Sequence, residues 1–158
     1  MKPPQVISCA GVDTGGGTWG VSFLDYIGAE LAGSMHFQVD NNSALVLIET
    51  VLIRFYTDPA VIVGKFAGVE EFVDGPAAGR KSEGKVTRQG VFKMVELFQM
   101  YGYHTKTRKA ADVKVWAKDN KLQAAGILQP PEMRHANDGS RQALFTAVHD
   151  AYRPNPLR

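Results

Sequence analysis

The sequence predicts an α/β domain built on one mixed sheet of five strands, three antiparallel strands first and parallel strands after them, flanked by helices. Three observations carry that expectation. Short apolar runs rich in β-branched and aromatic residues occupy positions 6–39, punctuated by glycines. A helical stripe and then another apolar run follow directly, which is the order of a crossover between parallel strands. Two later stretches repeat apolar residues at helical spacing.

The elements follow in order. Val6 to Asp13 reads as a buried strand, and Gly15, Gly16 and Gly17 after it allow the tight turn of a hairpin. Trp19 to Leu24 and Ser34 to Val39 complete a three-strand meander. Asn41, Asn42 and Ser43 offer N-caps to a helix from Ala44 to Tyr56, where Leu47, Ile48, Val51, Leu52 and Phe55 form one core-facing stripe. Pro59 ends that helix, and an apolar strand runs from Val61 toward Val69. Asp74 to Gly79 is rich in turn formers and reads as a mobile loop. A long helix is expected from Ser82 to Met100, with Val91, Met94, Val95 and Phe98 packing inward. Tyr103 to Lys106 and Val113 to Trp116 read as strand or extended segments. Lys118 to Leu128 is helical in pattern until Pro130 and Pro131 stop it. The last helix is expected to begin near Asn137 or Asp138 and to turn Ala143, Leu144, Ala147, Val148 and Ala151 inward. A single domain over 1–152 accommodates all of this, and 153–158 reads as a disordered tail.

Composition excludes several classes. At 158 residues, 44% hydrophobic and 22% charged, the chain has the make-up of one ordinary globular domain. Its one cysteine, Cys9, forms no internal disulfide, so a reducing compartment is expected. The N-terminus lacks the apolar core of a signal peptide, and no apolar run approaches the ~20 residues of a membrane span. A cytoplasmic protein with no membrane partner is expected. The net charge of +2 hides an asymmetry: Arg80 to Lys121 carries eleven basic and four acidic residues, the remainder seven and twelve. That pairing suits a protein holding a polyanion near clustered carboxylates, although a solvated Lys-rich helix face has the same composition.

The carboxylates have a pattern. Asp13 stands at the end of the first strand, Glu70 and Glu71 at the end of the fourth, and His135 and Asp138 three residues apart near the start of the last helix. If the strands are neighbours, these groups converge at one sheet edge. Hard oxygen ligands of this kind bind Mg²⁺ or Mn²⁺, and two such ions ~3.5–4 Å apart drive phosphodiester hydrolysis. Plainer roles stand beside this one: Asp13 as a turn former, Asp138 or Asn137 as an N-cap, one of the two glutamates as a solvated strand end. His36, His104 and His149 suggest no partner.

Taken in order, the motifs resemble those of the RuvC-type Holliday junction resolvases of the ribonuclease H-like superfamily. Gly11-Val12-Asp13-Thr14-Gly15 is similar to the family's opening strand, and Val69-Glu70-Glu71-Phe72-Val73 to its second motif, which favours Glu70 over Glu71. His135-Ala136-Asn137-Asp138 resembles its C-terminal motif, and Lys114 and Lys121 fall where the family carries functional lysines. The resemblance implies a ribonuclease H-like fold and a structure-selective endodeoxyribonuclease that resolves four-way DNA junctions. It further implies two Mg²⁺ or Mn²⁺ ions held by Asp13, Glu70, His135 and Asp138, and a homodimer. Two departures stand out: His135 replaces the aspartate of many members, and Gly139-Ser140-Arg141 replaces the small apolar residues that usually follow the last acid.

For DNA contact, Lys81, Lys85 and Arg88 recur on one face of the long helix, with Arg80 just ahead. The resemblance brings Phe72 to Arg80 toward the junction centre, where Phe72 stacks on a base or simply fills the core. It sets Lys114, Lys118 and Lys121 near the scissile phosphates. Three rivals remain. Flap or fork nucleases use the same groups, and a catalytically inactive DNA-binding module would keep the contacts without the chemistry. Gly11 to Thr18 also resembles the first phosphate motif of actin-like ATPases and sugar kinases. Those proteins need a second lobe and a second phosphate motif, neither of which the sequence offers, so no nucleotide cofactor is expected. A bacterial cell and a phage-infected host both fit as the source.

Overall fold

A computed structural model describes residues 3–56, 62–71 and 81–157, the side chains of 54–56 and 81–87 excepted. Five strands form one sheet: β1 (Val6–Asp13), β2 (Thr18–Ile27), β3 (Glu30–Asp40), β4 (Ile62–Glu70) and β5 (His104–Arg108). Their spatial order is β3-β2-β1-β4-β5, with β1, β2 and β3 antiparallel and β1, β4 and β5 parallel. Five α-helices accompany them: α1 (Ala44–Tyr56), α2 (Lys81–Met100), α3 (Ala110–Trp116), α4 (Asp119–Ala124) and α5 (Arg134–His149). The expected mixed sheet flanked by helices is therefore present, strand for strand in its meander and parallel halves.

Alternation along β1 explains the two-sided core. Ala10 and Val12 face α1 and α2, joined by Val21, Phe23, Ala67 and Val69 from the neighbouring strands. Cys9 faces the other way, onto α4 and α5, with Leu24, Leu122 and Leu144. The α1 stripe is rotated from the expected one: Ala44, Ile48 and Leu52 are buried, while Leu47 is 39% exposed. At its start the Ser43 carbonyl accepts the N–H of Leu47, and Asp40 accepts the backbone N–H groups of Asn42 and Ser43 just ahead of the helix. A hydrogen bond with the Ser43 side chain first, and these backbone bonds after it, hold the Asp40 carboxyl below the usual carboxylate range.

Three expected elements differ. Val113 to Trp116 belongs to a helix, not a strand. Val113 is buried but Val115 is 74% exposed, so the Val-Lys-Val alternation reflects no two-faced burial. The segment from Lys118 ends at Ala124, because Gly126 takes φ +72° and closes a Schellman cap through Ile127 N–H to Leu122 O and Gly126 N–H to Gln123 O. The last helix starts at Arg134 after a 3₁₀ turn over Pro131–Met133, which moves His135 and Asp138 into its opening turns. Beyond it, where a disordered tail was expected, Arg153 donates its backbone N–H to the Ala147 carbonyl and its guanidinium to those of Ala151 and Gly28. No described helix is long and apolar enough to cross a membrane.

Candidate active site

The ends of β1 and β4 lie side by side, Val12 registering with Val69, and each delivers a carboxylate to the face that α5 covers. Thr14, buried after β1, donates its hydroxyl to the Glu70 carbonyl at 3.1 Å and fixes the two strand ends together. Asp13 is 5% exposed and Glu70 half-buried, whereas Glu71 is exposed and spends its backbone N–H on the Arg108 carbonyl. Desolvation raises the Asp13 pKa against the opposing hydrogen bond from His135. Glu70 is pushed up to about 7 by burial first, then by repulsion from Asp13 and Asp138 and a hydrogen bond with Asp13, against the pull of Lys114.

Helix α5 brings the other two groups. His135 Nδ1 lies 2.8 Å from Asp13 Oδ2. This placement rests on backbone touching backbone: a methyl at Gly20 would lie 1.6 Å from the His135 carbonyl oxygen, and one at Gly11 would lie 2.1 Å from the Ala143 nitrogen. Neither strand could host a side chain there, so the helix seats directly on the sheet. The helix carries no capping side chain of its own. Gln38 of β3 substitutes, its Oε1 accepting the N–H groups of His135 at 2.8 Å and Ala136 at 3.3 Å. Ser22 and Ser140 bond each other at 2.8 Å and both reach His36 Nδ1, and Ser140 Oγ donates to the Ala136 carbonyl. Burial lowers the His36 pKa, in keeping with a neutral acceptor inside this network.

Asp138 lies one turn further on. Its Oδ2 receives Lys114 Nζ at 2.8 Å and its Oδ1 receives Arg141 at 2.6 Å. Burial depresses the Lys114 pKa, but its hydrogen bond to Asp138 and the charges of Asp138, Glu70 and Asp13 outweigh that and raise it. Lys114, Lys118, Asn120 and Arg141 line an open depression of about 540 Å³ together with Asp119 and Asp138. The structure therefore brings together Asp13, Glu70, His135, Asp138 and Lys114, with Lys118 at the rim.

Lys121 is elsewhere. Its ammonium lies 3.6 Å from the centre of the Trp116 ring and near His149, fourteen residues and about 21 Å of helix rise from His135. Arg88 is exposed on α2, beside Phe92 and Lys93. Phe72, Arg80 and the 74–79 loop lie outside the described residues, as do the side chains of Lys81 and Lys85. Sequence reading passed over Gln38, Thr14 and the pairing of Arg141. The last was signalled, because Arg141 follows Asp138 by three residues, the spacing already used for His135 and Asp138. Gln38 gave no sign, being 97 residues from the backbone it caps.

The donor chemistry fits a hard divalent cation. Two adjoining carboxylates are penalised by burial and by each other, and a bound cation relieves both. Among the described residues, however, no three His, Cys, Asp or Glu side chains are drawn together as a metal-holding set.

No family model matches the sequence, and no curated protein matches it. Solved structures do. A structure of Thermus thermophilus RuvC in complex with a Holliday junction substrate aligns over 92% of this chain and 96% of that one, with a TM-score of 0.62 and 17% identity. A second Thermus thermophilus RuvC structure aligns over the same shares, with a TM-score of 0.61 and 16% identity. The chain shares their ribonuclease H-like fold.

Proposed function

We propose that this chain is a metal-dependent endonuclease of the RuvC type, cutting branched DNA and four-way junctions above all. The observation that carries the reading is the meeting of Asp13 and Glu70 at adjacent parallel strand ends, faced by Lys114 on a basic-rimmed depression. A fold shared with RuvC over nearly the whole chain supports it.

Asp13 and Glu70 would hold Mg²⁺ or Mn²⁺, with His135 and Asp138 completing the set. The cation supplies Lewis acidity and an activated water for phosphodiester hydrolysis. His135 fixes the rotamer of Asp13 through their 2.8 Å contact. Lys114 balances the carboxylates in the free protein, and its side chain is exposed enough, at 46%, to turn toward a phosphate. Lys118 extends that positive rim. The four-way junction presents two strands related by symmetry, which a homodimer with two such sites matches.

The deciding experiment is cleavage of a labelled four-way junction beside linear duplex and flap controls, with Mg²⁺ or Mn²⁺ and Asp13→Asn as the reference. Paired nicks confined to the junction and absent from the variant are expected. Equal cutting of all three substrates would leave a nuclease without junction selectivity. Binding without cutting under either metal would favour the inactive DNA-binding module.

A further inference from the structure

Asp138 differs from the other two acids in how its charge is met. Both of its oxygens are engaged by cations, Oδ1 by Arg141 at 2.6 Å and Oδ2 by Lys114 at 2.8 Å. The two partners are unlike. Lys114 is 46% exposed and ends in a rotatable ammonium, so an arriving phosphate can draw it away. Arg141 is 16% exposed and clamped from three sides: its Nε donates to the Ala117 carbonyl at 3.1 Å, and its two amino groups reach Asp138 and Asp119. A carboxylate held in this way is a poor ligand, because a cation must displace a positioned guanidinium or share its charge at close range. Among the described residues Asp13 and Glu70 have no such clamp: Asp13 meets His135 and shares a hydrogen bond with Glu70, and Lys114 reaches both at longer range.

We infer that Arg141 is a regulator of the cation capacity of this site: it withholds Asp138, so that cation binding rests on Asp13 and Glu70 until Arg141 lets go. The inference rests on the nuclease reading and adds to it a residue that sets metal affinity from the wall of the depression.

The test is titration of the DNA-free protein with Mn²⁺, followed by calorimetry and by the electron paramagnetic resonance of the free ion. Arg141→Gln should tighten Mn²⁺ binding about tenfold, because a fixed positive charge leaves the site and a carboxylate joins it. The gain should vanish in the Arg141→Gln/Asp138→Asn double variant. Arg141→Met, which keeps the apolar stem in place, gives the same comparison if the glutamine variant folds poorly. An Arg141 variant that is folded, by its circular dichroism, and binds Mn²⁺ no tighter than the parent overturns the inference and leaves the nuclease reading standing. A gain that survives in the double variant overturns it as well, since bulk charge alone would then explain it. Absence of Mn²⁺ binding in every protein, Asp13→Asn included, overturns the metal reading on which both rest.

Discussion

On the α1 and α2 face the sheet is held off by large side chains, Phe23, Ile48, Leu52, Met94 and Phe98, whereas on the α5 face helix backbone meets strand backbone at Gly11 and Gly20. The first arrangement is a jigsaw of apolar volume that can shift by fractions of an ångström and still exclude water. The second has almost no slack, because main-chain atoms in contact have no rotamers to adjust. The candidate active site lies on the second face. Close seating of α5 is what sets His135 Nδ1 2.8 Å from Asp13 and leaves Asp138 within reach of Lys114. Both faces bury apolar side chains, and the α5 face also fixes position.

Substitutions on the two faces should separate these contributions. The largest effect is expected from Gly20→Ala, whose methyl would lie 1.6 Å from the His135 carbonyl oxygen. Urea unfolding should show a loss of about 3 kcal/mol. Junction cutting per folded molecule should fall about a hundredfold as α5 lifts from Asp13. Phe98→Ala is the opposite case. Phe98 is fully buried against Phe23 and Tyr103, so about 3–5 kcal/mol of stability should go, with cutting per folded molecule little changed. Equal loss of cutting in the two variants would erase the distinction between the faces.

Smaller effects sharpen the picture within α5. Lys114→Met should slow single-turnover cutting about tenfold, a modest charge effect at the reacting phosphate, while Lys121→Met, at the far end of the helix over Trp116, should leave the rate within about twofold. A larger loss from Lys121→Met would mean that the distal end also contacts the cleavage site. The smallest effect concerns Glu70, whose pKa of about 7 in the folded chain lies above its ordinary 4.5. Between those values the folded state binds the proton and the unfolded state does not, so this group's contribution to stability is present at low pH and is lost as pH rises through 7. In chelator at pH 8, Glu70→Gln should therefore be more stable than the parent by on the order of 1 kcal/mol, since water screens a half-buried carboxylate. Thermal melts that show no gain at pH 8, or the same gain at pH 4, would refute this origin.

Much of the fold was legible because its cause is local. A buried run ended by glycines marked β1, helical spacing marked α1 and α2, and the bounds of β1 and α1 match the expected ones residue for residue. Local cues misled where two of them conflicted. Val113 to Trp116 carried β-branched residues but lay in a helix of which one side alone is covered. Gly126 was passed over inside a helical pattern although it ends the helix at positive φ. The tight turn expected of Gly15 to Gly17 needs no left-handed glycine; Gly15 is instead packed against the His135 ring.

By itself the sequence determined the order of β1 to β5 with α1 and α2 among them, the mixed sheet and the types of residue available for chemistry, Asp13, Glu70, His135 and Asp138 among them, since periodicity and strand ends are properties of neighbouring residues. Only the tertiary structure decided which of those groups meet and in what electrostatic state. The Asp13–His135 contact joins residues 122 apart, the Gln38 cap spans 97, and Lys114 of α3 reaches Asp138 of α5 across 24. Such pairings depend on how closely α5 can approach the sheet. That distance is set by the absence of side chains at Gly11 and Gly20, and its consequences appear only when two distant backbones touch.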